Sequence, residues 1–163
     1  MYNDKCVQWL RDKGTEQIKH SGTTLFRHLY NTAMIVSQDF RRIKWYIVRA
    51  ALFHSIYGTA YFDPKLNVTR EEIRELIGEE AEDLAYTFCS IEKDRFETII
   101  TNKGNWMQEK HFGLCVLELA NMKEMLERKP MTKKHYQRMD ALNKLVESFV
   151  WRRKYTVRNN DRG

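Results

Sequence analysis

At 163 residues, 42% of them hydrophobic, the chain is long enough for one domain with a real core, and its 7 Gly and 2 Pro leave no linker for a second. A formal charge of +6 favours anionic partners such as nucleotides or phosphorylated metabolites. Cys6, Cys89 and Cys115 are too scattered for a disulfide framework or a zinc knuckle. With no apolar leader and no run near the roughly 20 apolar residues of a membrane span, a cytoplasmic protein is expected.

Segment 3–13 carries Cys6, Val7, Trp9 and Leu10 as an apolar stripe, the mark of a short helix ending at Gly14. In "GTTLFRHLYNTAMIVSQDF", Leu25, Leu29, Ala33 and Met34 recur at helical steps, and Thr23 or Thr24 supplies the N-cap. A third helix is expected from Ile43 to Ser55, stopping at Gly58, before a loop that contains Asp63-Pro64. Thr69 and Glu72 form a capping box for a helix to Ile77, and 79–91 opens another with an acidic first turn.

The stretch 92–106 reads as looser, and 111–126 as a central helix broken by Lys129-Pro130. A long helix over 132–153 carries Tyr136, Met139, Leu142, Leu145, Val146 and Phe149 as its stripe, and a basic tail covers 154–163. No strand-like alternation is visible. The pattern predicts one all-α domain, a bundle of about seven helices.

Within it, "AALFHSIYGTAYF" (50–62) places His54 in an apolar run where leucine would pack more easily. His28 falls three residues after Leu25, near the inward face of the preceding helix, and His20 lies just upstream. Inward histidines on adjacent helices bring imidazoles together, and imidazole is a common metal ligand. Taken singly, each also reads as a hydrogen-bonded structural histidine. "HSGTT" (20–24) offers either free amides for an anion or ordinary capping. Glu82 reads as a surface carboxylate or a site donor, and His111 and His135 read as solvated.

In chain order, "LFRHLYNTAMIV", "AALFHSIYGTAYF", "REEIRELIGEEAEDLAYTF" and "CVLELANMKEML" resemble the HD-domain superfamily, metal-dependent phosphohydrolases named for a His-Asp pair. Residues 68–125 look most like the hydrolase domain of the alarmone (ppGpp) enzymes. "HSGTTLFRHLYNT" and "LFHSIYGT" are similar to an HD-like subfamily with His-Ser-Gly and His-Ser-x-Tyr-Gly-Thr motifs. The resemblance spans 18–126, so a single HD-like domain, 1–163, is implied. It puts His28 at the first metal-binding histidine and His54 at the histidine of the pair. Ser55 stands where the pair has aspartate, and Asn121 stands at the last metal-binding aspartate.

The implied site has His28, His54, Ser55 and Tyr57 as catalytic groups and His20, Thr24, Thr59 and Glu82 around a ligand. His28, His54 and Asn121 would hold a divalent ion (Mn, Fe or Zn), if one binds. Losing two carboxylates removes two charges that offset such an ion.

Two functions are implied: a hydrolase of a phosphorylated small molecule or nucleotide with a modified metal site, or a catalytically degenerate module binding a small ligand or protein. An HD-fold iron oxygenase would need further His and carboxylate ligands. A nucleic-acid binder would gather its Lys and Arg on one face, and here they are scattered among acids.

Overall fold

Apolar residues at helical spacing set the architecture. The computed structural model describes residues 4–40 and 42–160. Among these, α1 is Asp4–Asp12, α2 Leu25–Asp39, α3 Trp45–Phe53, α4 Arg70–Ile77, α5 Glu79–Ser90, α6 Arg95–Ile100, α7 Gln108–Leu126 and α8 Lys133–Asn160. A hairpin of two-residue strands, β1 (Lys19–His20) and β2 (Thr23–Thr24), precedes α2. The fold is all-α apart from that hairpin.

Local chemistry sets the boundaries. Thr24 Oγ1 accepts the Arg27 N–H and starts α2, and Thr69 Oγ1 accepts that of Glu72 and starts α4. Gly78, at φ +91°, turns the chain from α4 directly into α5. Every residue of α7 from His111 to Asn121 is buried, so this helix is the axis of the bundle. The other core helices pack around it: α2 against α3 and α7, α3 against α5, and α8 against α7. Where α5 crosses α7, Gly113 leaves the room that Leu84 fills, for a Cβ there would lie 2.8 Å from Leu84 Cδ2. The thiols of Cys6, Cys89 and Cys115 are free and buried.

The hairpin and α6 depart from the sequence reading for the same reason. Strands of two residues are too short to show alternation, and six residues of helix inside 92–106 make fewer than two turns. α8 continues through Asn160, taking in most of the expected tail, and 161–163 lie outside the described residues. Among the described residues, no helix is long and apolar enough to cross a membrane.

Leu117, fully buried on the axis helix, is a sensitive point of the core. Leu117→Ala is expected to lower the unfolding free energy by about 2–5 kcal/mol, read from urea denaturation monitored by circular dichroism.

Candidate functional site

Three elements bring polar groups into the core. α2 contributes His28, the residue closing α3 is His54, and α7 contributes Glu124, all fully buried. A buried carboxylate needs donors, and Glu124 receives them from both sides. Arg128, one turn on, grips it through both terminal nitrogens, with Nη2 to Oε2 at 2.6 Å. His28 Nδ1 makes a very short contact to Oε2, and Asn31 Nδ2 approaches Oε1 at 3.5 Å. The remaining Arg128 contact, Nε to the Ser21 carbonyl at 3.0 Å, ties the hairpin to α7. Burial pushes the Glu124 carboxyl up, but the Arg128 and His28 bonds outweigh it and hold the pKa at about 2.

These partners settle the histidine tautomers. The ionised Glu124 carboxylate can only accept, so His28 carries its hydrogen on Nδ1. His54 Nδ1 lies 2.7 Å from the Ala51 carbonyl, which also only accepts, so it carries one too. The two Nε2 atoms then face each other at 3.0 Å. Two lone pairs repel at that distance. Burial, then the neighbouring His28, pushes His54 far below the usual imidazole range. The contacts run from Glu124 through His28 and His54 to the Ala51 carbonyl.

His20 covers this chain. Its ring lies 4.3 Å from that of His28 and 4.3 Å from that of Phe62, centroid to centroid. It is partly buried, and burial together with His28 lowers its pKa to about 4. Beneath, Phe88 meets His54 edge-on and Cys89 Sγ donates to the His54 carbonyl.

A divalent ion of the HD type needs more than two imidazoles. Glu124 is already engaged by His28 and Arg128. Glu82 is held away by Arg70. Among the described residues, no group of three or more His, Cys, Asp or Glu side chains is arranged to hold an ion. The residues present therefore do not fit such an ion.

The other expected site residues fall elsewhere. Ser55 and Asn121 are buried beside the centre in sequence, but neither joins the chain of bonds from Glu124 to Ala51. Thr24 caps α2, and Thr59 pairs with Phe62 in an isolated bridge while its Oγ1 accepts the Tyr61 N–H. Tyr57 donates to Glu82 at 3.0 Å, and burial and that bond push its phenol well above the usual range. Glu82 is fully buried and forms a second network, with Arg70 Nε at 2.7 Å, Arg70 Nη2 at 2.8 Å and Arg74 Nη2 at 3.3 Å.

His111 is buried and bonds through Nε2 to the Ile99 carbonyl, which corrects its reading as solvated. His135 is exposed, in a cap with Thr132. Glu124 and Arg128 escaped the sequence reading. The i, i+4 spacing of a carboxylate and an arginine was their only signal, and it is common on solvated helices.

Against known proteins, residues 9–93 match the family model described as Domain of unknown function (DUF6817), and the chain belongs to that family. Comparison with curated proteins gave no match. Among solved structures, the chain is similar to a metazoan ortholog of SpoT that hydrolyzes ppGpp and plays a role in starvation responses. The TM-score is 0.57 at 19% identity, over 90% of this chain and 84% of that one. That likeness establishes the HD-like helical fold.

The Glu82 network gives a pH test. Burial pushes the carboxyl up, but Arg70, Tyr57 and Arg74 together hold it below the usual 4.5. A depressed folded pKa means its contribution is present above the unfolded value and is lost as pH falls through the folded one. Glu82→Gln should cost about 1–3 kcal/mol at pH 7. The gap to wild type should narrow as pH drops below 4.5. Thermal melts of both proteins across that range check this; a constant gap would contradict it.

Proposed function

We propose that this DUF6817 member is an HD-fold binding module for a small phosphorylated ligand, received at a mouth formed by His20, Arg128 and Lys129. The observation that carries this reading is the direct 3.0 Å contact between His28 and His54. It engages with each other the two imidazoles that the HD resemblance would give to a metal ion.

Charge supports the ligand class. Besides burial and His28, the cations Arg128 and Lys129 lower the His20 pKa against the opposing pull of Glu124, which puts two cationic side chains beside the ring. Arg128 uses three of its five N–H donors on Ser21 and Glu124, and two remain. Its side chain is 18% exposed, enough to present them to an anion. The ppGpp acted on by the structural relative is a ligand of this class and the first to try.

A second reading, a hydrolase with a modified metal site, has one observation in its favour. Histidines that ligate metals donate their other ring nitrogen to a carboxylate or backbone carbonyl, as His28 and His54 do here. On that reading, a third donor and the ion itself come from rearrangement or from the substrate.

Calorimetric titration with ppGpp and GDP, run beside a hydrolysis assay with and without Mn²⁺, separates the two. The binding module is expected to take up ligand without added metal and without turnover, and Lys129→Gln should weaken binding about 5- to 10-fold. Mn²⁺-dependent hydrolysis that His54→Ala abolishes would establish the hydrolase instead. No binding of either nucleotide would remove the phosphorylated-ligand assignment.

A further inference from the structure

A cavity lies where the loop after α6 meets α8. Its volume is about 350 Å³, within the range of small-molecule sites, and it shares no residue with the His28–His54 centre. Asn102, Trp106, Gln108, His111, Leu145, Ser148 and Phe149 line it.

One wall is fixed in advance. Asn102, in a left-handed conformation at φ 50°, clamps the Trp106 backbone from both sides: its amide donates to the Trp106 carbonyl at 3.1 Å and its oxygen accepts the Trp106 N–H at 2.9 Å. The indole folds back over Gly104, where a Cβ would lie 2.3 Å from Trp106 Cε2. A left-handed asparagine carries a conformational cost that the clamp offsets, and its effect is to hold the tryptophan ring in place. Beside it, the His111 ring is 6.4 Å from Trp106 and 5.3 Å from Phe149, which it meets edge-on. Three rings thus border the space.

The polar groups are few and uncharged. His111 Nε2 donates to the Ile99 carbonyl at 2.6 Å, so its Nδ1 is an acceptor. Ser148 Oγ donates to the Leu145 carbonyl at 2.7 Å and keeps lone pairs to accept. Gln108, at the start of α7, offers an amide that both donates and accepts. Among the described residues, no lysine, arginine or carboxylate lines the cavity. Flat aromatic walls call for a flat ligand, two acceptors call for N–H groups on it, and a neutral lining offers nothing to a phosphate.

We infer that this cavity binds an uncharged, planar nitrogen heterocycle of nucleobase or nucleoside size. The ligand lies against Trp106 and Phe149, with its N–H edge toward His111 and Ser148 and its amide-like edge toward Gln108.

Adenosine is the probe, titrated into the full-length ¹⁵N-labelled protein while the indole N–H of Trp106 is followed by NMR and assigned with Trp106→Leu. Adenosine monophosphate and ribose 5-phosphate are run beside it. A saturable shift with adenosine is expected, no tighter binding with the monophosphate, and no effect of ribose 5-phosphate. Gln108→Ala, a change at an exposed position, should weaken adenosine about 3- to 10-fold without altering the fold. Absence of a saturable shift at millimolar adenosine would overturn the inference. So would an affinity that Gln108→Ala leaves unchanged, or one that depends on the phosphate. Because the proposed anion mouth is probed at Lys129, failure at either site is distinguishable from failure at the other.

Discussion

Glu124 is a carboxylate with no exposure to solvent, and satisfying it organises the centre of the molecule. An ion of that kind, left unpaired, would cost several kcal/mol or take up a proton. Its donors come from separate parts of the chain: Arg128 from the turn after α7, His28 and Asn31 from α2. Arg128 in turn reaches the hairpin at Ser21, and His28 reaches His54 at the end of α3. One buried charge therefore fixes the relative positions of α2, α3, α7 and the hairpin, where apolar packing alone would tolerate sliding.

The same arrangement sets the electrostatics that any incoming group would meet. In a two-carboxylate HD centre, the negative charges are free to offset a divalent cation. Here the nearest carboxylate is already paired with Arg128, and the two histidines face each other. A dication would enter a centre with no uncompensated negative charge. On the His20 side the cations Arg128 and Lys129 and the carboxylate Glu124 all bear on the ring, with opposite effects.

What the residues disclosed in advance followed from pattern. The axis helix was visible as an unbroken apolar run, and Thr24 and Thr69 as caps, because helix ends have few chemical solutions. His28 and His54 were visible because an imidazole in an apolar stripe is unusual. Glu124 and Arg128 were hidden because a carboxylate and an arginine four apart look the same on a solvated helix as on a buried one. His111 is the converse case: its neighbours Glu109 and Lys110 are polar, and partners distant in sequence, Ile99 and Phe149 among them, pack against the ring. Glu82 was placed among ligand groups, whereas four bonds from Tyr57, Arg70 and Arg74 tie α4 to α5 through it. Spacing along the chain could not show which of several nearby cations would reach it.

Ser55 and Asn121, which the resemblance sets at aspartate positions, lie far apart along the chain and are both buried in the fold. Both positions are nearly as buried as the histidines, at 4% and 5% exposure. An aspartate at either would add a second carboxylate to a core in which Arg128 is already committed to Glu124. Left unpaired, that charge would oppose folding through its desolvation. Serine and asparagine bring no charge, and they suit a centre that is balanced by Arg128. Glu124 and Arg128 thus form a buried, charge-balanced pair, and the uncharged side chains of Ser55 and Asn121 leave that balance undisturbed.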